Sequence, residues 1–195
     1  EKRNMKSRCT LALQALIGSS ALLSVQPGGA AGFYISEIAT PGSLGTAGVL
    51  NPVNTSTADS SWTNPAGMTG LQKDEMLAGF QVLVPSIEFD PSLAEAGGRD
   101  GGNAGNIAAI PSFFMVKKLS DRWRFGFSLV APQGGAMDNG DDFVGRYAAT
   151  KVSLAAIGGS PSIAYEVNDR LSLGAGVSII YTQFEQRIAI NQSDL

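Results

Sequence analysis

Apolar and polar positions alternate with a period of two through most of the second half of the chain. The pattern is cleanest over Arg122–Ala131, where Trp123, Phe125, Phe127, Leu129 and Ala131 face one way and Arg122, Arg124, Gly126, Ser128 and Val130 the other. Leu171–Tyr181 repeats it, with Leu171, Leu173, Ala175, Val177, Ile179 and Tyr181 set against Ser172, Gly174, Gly176 and Ser178. A period of two predicts half-buried strands. Three further segments read as strands. Met76–Phe89 changes phase near Pro85, which suits a bulge or an edge. Ile107–Lys117 is apolar on both faces. Lys151–Val167 begins with Val152 and Leu154, slips near Ala156, and continues with Ile163, Tyr165 and Val167.

The connections alternate in length. Leu119-Ser120-Asp121-Arg122-Trp123 and Val167-Asn168-Asp169-Arg170-Leu171 are tight turns built on one pattern, whereas Asp90–Asn106 and Pro132–Thr150 are long and rich in glycine or aspartate. Tight turns at one end and long loops at the other, joining strands of about 10 residues, predict an all-β transmembrane antiparallel β-barrel. An exported β-sandwich would want shorter strands and polar outer faces. Trp123, Phe125, Phe127 and Leu129 in succession make a poor surface for water. Five strands cannot close a barrel, because bacterial single-chain barrels have an even number of at least eight. The chain therefore reads as the N-terminal part of a longer protein.

What precedes the strands is different in kind. Lys2, Arg3, Lys6 and Arg8 followed by apolar Leu11–Val25 and the small residues Gly28-Gly29-Ala30 form an export signal, with a mature start at Ala31. From Ala31 to Leu71 the sequence is rich in small residues, carries only Glu37 and Asp59 as charges, and shows neither a strand nor a helix period. It reads as a plug inside the barrel. The expected organisation is thus a signal peptide at 1–30, a hatch at 31–75 and barrel strands at 76–195.

Composition narrows the chemistry. Among 195 residues there is no histidine and one cysteine, Cys9, which lies in the signal. Histidine-dependent triads, histidine metal sites and a disulfide framework are excluded for the mature segment, and neither catalysis, a cofactor nor a metal is expected. Past residue 30 there are ten Lys/Arg against sixteen Asp/Glu, a net charge of −6, which argues against nucleic acid. Asp138, Asp141 and Asp142 lack the spacing and the bidentate Glu of an EF-hand and read as a solvated loop. Gly97-Gly98 and Gly134-Gly135 are not followed by Gly-Lys-Ser/Thr, so neither is a phosphate loop. Arg122 and Arg124 fall on the polar face, where they are expected to balance Asp121 and Glu166.

Three ordered motifs remain: Ala31-Gly32-Phe33-Tyr34-Ile35-Ser36-Glu37, Gly42-Ser43-Leu44-Gly45, and Asn64-Pro65-Ala66-Gly67-Met68-Thr69. On these the chain resembles the outer-membrane long-chain fatty-acid transporter family (FadL/TodX type), over about Ala31 to Gln186. The resemblance implies a monomeric fourteen-stranded barrel of the Gram-negative outer membrane with an internal N-terminal hatch. Long-chain fatty acids or other hydrophobic small molecules would bind near the external loops, pass toward the hatch, and leave sideways into outer-membrane lipid beside a kinked third strand. It implies that Phe33 lies near bound ligand and that Asn64, Pro65 and Ala66 are the hatch motif. Ala108 and Ala131 would border the lateral opening, and Ala131-Pro132-Gln133-Gly134-Gly135 would be the kink. The competing function is an adhesin or structural barrel acting through its external loops; a barrel enzyme is weakest, given the lack of histidine.

Overall fold

Seven strands pair into one antiparallel sheet, in a computed structural model that describes residues 40–94 and 97–190. The expected signal peptide, the start at Ala31 and Phe33 lie outside the described residues. The strands are β1 (Glu75–Leu83), β2 (Ala108–Lys118), β3 (Trp123–Val130), β4 (Gly134–Asp138), β5 (Lys151–Asn168), β6 (Leu171–Gly176) and β7 (Ile179–Arg187). They lie along five lines, because β3 and β4 run in series on one side of β5 while β6 and β7 run in series on its other side. The sheet does not close on itself among the described residues. No described helix is long and apolar enough to cross a membrane.

The two tight turns owe their shared pattern to their first polar side chain. Ser120 Oγ accepts from the backbone N–H of Arg122 at 3.3 Å and of Trp123 at 3.1 Å, and Asn168 Oδ1 accepts from the N–H of Arg170 at 3.0 Å. Short polar side chains that bond the backbone two residues on hold such reversals.

The strands depart from the sequence reading in four respects. The first strand ends at Leu83 and does not reach Phe89, since residue 84 precedes Pro85 and a proline cannot donate to a ladder. Against the β6–β7 line β5 runs from Lys151 to Glu166 without a register shift, so Val152 and Leu154 sit on the same inner face as Ser160 and Ser162, and the apparent slip near Ala156 is a change of side-chain type within β5. The expected strand Leu171–Tyr181 is two segments in a single register, extending to Arg187. The ladder is interrupted at residues 177 and 178, opposite Pro161, which offers no N–H. Part of the connection Pro132–Thr150 is itself strand β4.

The residues between 40 and 71 fold as short helical turns. α1 (Pro41–Gly45) starts with proline at its first position and with Thr40, whose side chain accepts from the Ser43 N–H at 3.1 Å. A 3₁₀ turn at Asn51–Val53, α2 (Ser60–Thr63) and a second 3₁₀ turn at Pro65–Gly70 follow. This segment packs on the small-residue face of the sheet, and there Met68, Ala58, Leu71, Phe114, Val116, Val130 and Ala164 form the buried core. The opposite face is left bare: Phe80 is 68 % exposed, Val82 57 % and Tyr181 71 %, whereas the inward Phe114 and Val116 are fully buried. A continuous apolar outer face of this kind is what a sheet in hydrocarbon presents.

Candidate functional site

Two features meet at the third line of the sheet: the contact between the leading segment and the wall, and a break in the wall itself. The contact is close because the wall offers glycine and serine there. Gly126 has no room for a Cβ, which would collide with Met68 Sδ and lie 2.7 Å from Ser61 Cβ. Gly174 likewise abuts the turn at Pro65 and Ala66, with a Cβ falling 2.6 Å from the Pro65 carbonyl carbon. Around these contacts, hydroxyls pair across the boundary, Ser61 with Ser128 at 2.7 Å and Thr69 with Ser172 at 2.8 Å.

The motif Asn64-Pro65-Ala66 is the knot of this arrangement. Asn64 is extended (φ −155, ψ 90), as a residue before proline should be. Its side-chain amide donates to the Pro52 carbonyl at 2.7 Å, and its own carbonyl accepts from Gly67 N–H at 2.8 Å. The Gly67 Cα sits against the Asn54 carbonyl. One side chain thus ties the two 3₁₀ turns together, while Ala66 is pressed on β6.

The break lies between β2 and the β3–β4 line. β2 pairs with β3 as far as Phe113 and Leu129, and the two chains meet again, in the same register, at Gly105 and Met137. Between those rungs residues 107–112 and 130–135 make no ladder with each other. The β3–β4 line bulges here: three residues, Ala131, Pro132 and Gln133, stand opposite Ala156 and Ile157 of β5, and the pairing resumes one residue out of step at Gly134 and Ala155. An extra residue bends a strand away from its neighbour. Proline appears on both sides of the break, as Pro111 and Pro132. The ladder to β1 runs through Pro111 uninterrupted, so its missing donor falls on the edge toward β3.

The structure brings Ala108, Ala131, Pro132, Gly134 and Gly135 together on the rim of this break. Asn64, Pro65 and Ala66 lie apart from it, against β6, and Phe33 is outside the described residues. Arg124 differs from expectation. It is 1 % exposed and pairs with no carboxylate among the described residues; its guanidinium donates to the carbonyls of Leu71 (2.8 Å), Ser120 (2.7 Å), Asp121 and Trp123. Asp121 pairs instead with Lys118 at 3.1 Å. Gly126, Ser128 and Gly174 were not singled out by sequence, although glycine recurring on the polar face of a strand is itself a signal of close backbone approach.

At the other end the two long loops pack on each other. Phe89 and Phe143 meet edge to face at 5.2 Å, Arg99 N–H donates to the Asp142 carbonyl at 2.8 Å, and Arg146 Nη1 reaches the Gly97 carbonyl at 2.6 Å. A hydrophilic cavity of about 770 Å³ opens between them, lined by Asp100, Asp138, Asp141 and Asp142 among others. Asp90, at the start of the first loop, is held below the usual carboxylate range by the Ser92 N–H that it accepts.

Comparison with known proteins agrees on one group. The model of a family described as outer membrane protein transport protein (OMPP1/FadL/TodX) matches residues 20–191. The long-chain fatty acid transport protein of Escherichia coli K12 is 24 % identical over 179 residues, covering 92 % of this chain and 40 % of that protein. Outer membrane protein P1 of Haemophilus influenzae is 25 % identical over 185 residues, covering 87 % and 40 %. A crystal structure of a Pseudomonas aeruginosa FadL homologue superimposes with a TM-score of 0.55 at 29 % identity, over 68 % of this chain and 34 % of that one. The chain spans about two-fifths of the length of the curated relatives it matches.

Proposed function

Since the chain belongs to the OMPP1/FadL/TodX family of outer membrane transport proteins, we propose that it carries the hatch and first wall strands of a channel for passive uptake of long-chain fatty acids or other hydrophobic compounds. The solute enters from the loop end, meets the hatch, and leaves sideways through the break between β2 and the β3–β4 line. Phe33 and the Asn64-Pro65-Ala66 turn are the ligand-side parts of the hatch.

The observation that carries this reading is the break. Unpaired backbone facing hydrocarbon is costly, and it is tolerated where it borders a cavity or a path. Here it is bordered by Ala108, Ala131, Gly134 and Gly135, which carry at most a methyl group and leave the gap open. A hydrophobic solute gains nothing from a water-filled pore but partitions readily into a bilayer. Release needs no covalent step, only a hatch that binds the solute differently in two positions.

Uptake of radiolabelled oleate tests the proposal in cells that lack their own transporter and express the full-length protein. Ala108→Phe and Ala131→Phe should each lower the rate about tenfold, the effect of ~1.4 kcal/mol on a barrier, with barrel assembly unchanged. Deleting Asn64–Ala66 should also lower uptake. Undiminished uptake in all three variants would sink the reading.

A further inference from the structure

By hydrogen bonds the leading segment is fastened to the wall in one half only; upstream, the Pro41 ring packs on Gly79 of β1 without a hydrogen bond. Hydrogen bonds of residues 40–57 stay within the segment among the described residues: Ser43 with Asn51, Asn54 and Thr57 with Asp59, and Asn64 with the Pro52 carbonyl. From residue 58 onward they reach four strands. Ala58 N–H donates to Glu75 Oε1 of β1 at 2.8 Å, Ser61 pairs with Ser128 of β3, Ser162 of β5 approaches Met68 Sδ at 3.8 Å, and Thr69 pairs with Ser172 of β6. Where the segment leaves for β1, the Lys118 N–H donates to Asp74 Oδ1 at 2.8 Å.

Arg124 closes this set, and its chemistry is out of proportion to mere filling. A buried cation facing only carbonyls carries a large desolvation cost, and a methionine would occupy much the same volume without it. What the guanidinium adds is a rigid fork of donors. Its Nε takes the carbonyl of Leu71, the residue that ends the leading segment, and its Nη1 takes the carbonyls of the β2–β3 turn.

We propose that Arg124 is a positioning residue that locks the Ala58–Leu71 half of the hatch to the wall, so that displacement during transport is confined to the residues upstream of Ala58. This rests on the transport reading above, in which the hatch rearranges. The Asn64-Pro65-Ala66 turn is then a fixed pedestal against which the upstream part swings, and it does not travel with the solute.

Single-cysteine reporters in the full-length protein, in a background without other thiols, test this in outer-membrane vesicles. Ser61→Cys reports on the locked half and Thr46→Cys on the mobile half, each through its rate of maleimide labelling with and without oleate. Oleate should change the rate at Thr46→Cys and leave Ser61→Cys protected. Adding Arg124→Met to Ser61→Cys should raise its labelling about tenfold, the measure of a locally opened state. Arg124→Lys should not restore protection, because one ammonium does not bridge Leu71 and Ser120. Protection that persists in Arg124→Met means the side chain only fills space, and overturns the proposal. So does oleate-driven labelling of Ser61→Cys with Arg124 in place, which decides the matter even if Arg124→Met fails to assemble. Loss of uptake on deleting Asn64–Ala66 alongside either result keeps the transport reading and removes only the lock. Oleate that moves neither reporter overturns both.

Discussion

Met68 fills the place where Gly126 has no side chain. The sulfur of a fully buried methionine in the leading segment lies against the Cα of a strand glycine, with Ser61 and Ser162 closing the remaining sides. The fit requires the bare glycine, because the nearest atoms belong to packed side chains on three different elements. Gly126→Ala should therefore push the second 3₁₀ turn off the wall at a cost of about 1–3 kcal/mol, the usual range for overfilling a packed core. Limited proteolysis of the assembled protein checks this: cleavage within residues 40–71 should accelerate while the strands stay resistant. Equal resistance in Gly126→Ala would show that the contact is slack.

Gly174 makes the same demand on the motif turn from the opposite strand. A Cβ there meets backbone atoms of Pro65 and Ala66, which cannot rotate away as a side chain can. Gly174→Ala should displace Asn64-Pro65-Ala66 and, on the transport reading, reduce oleate uptake, whereas Gly135→Ala meets nothing within 4 Å and should leave assembly intact. Parallel uptake and heat-modifiability assays on the two variants separate a local fault in the hatch from a general loss of folding.

What the sequence disclosed follows from which forces act locally. Arg122–Ala131 announced itself because lipid on one side and glycine and serine on the other impose a strict alternation on neighbouring residues. The tight turns were legible because Ser120 and Asn168 act on backbone two or three positions away. β4 was not, since Gly134-Gly135-Ala136-Met137-Asp138 has no alternation and is a strand only because β5 lies beside it. The gap in the Leu171–Arg187 line is caused by Pro161, on a different strand. Arg124 was placed on the correct face but given the wrong partners, because the carbonyl that its Nε meets belongs to Leu71, 53 residues earlier. The break beside Pro132 and the Asn64-Pro65-Ala66 turn were named through family resemblance; periodicity alone would have passed over both.

The two long loops offer a contrast between two kinds of contact. Arg99 and Asp142 form an ion pair at 3.4 Å with both side chains largely in water, and such pairs contribute little after screening. Phe143 is buried between the loops and stacks edge to face on Phe89. Asp142→Asn should leave loop order unchanged at physiological salt. Phe143→Ala should cost about 3 kcal/mol locally, as for other buried aromatics, and expose the backbone of residues 97–105. Amide hydrogen exchange over the two loops reads both outcomes, and equal protection in the two variants would refute this ranking.

The two prolines at the break make opposite use of the same defect, a backbone nitrogen that cannot donate. In the β3–β4 line Pro132 sits within the bulge; in β2 Pro111 faces across the gap toward it while the ladder to β1 passes unhindered on the other edge. Restoring both donors with Pro111→Val and Pro132→Val returns valine, which suits a strand, to both lines. Each new ladder bond is worth about 1 kcal/mol net in water, and more where the alternative is an unpaired group in hydrocarbon. Residues 107–112 should then pair with residues 130–135, slowing amide exchange across the gap and raising the unfolding temperature in detergent. If the gap is the exit, the stabler double variant should be the poorer transporter, with oleate uptake falling while its binding to the outer loops persists. A double variant that exchanges slowly yet transports at the parental rate would place the exit elsewhere.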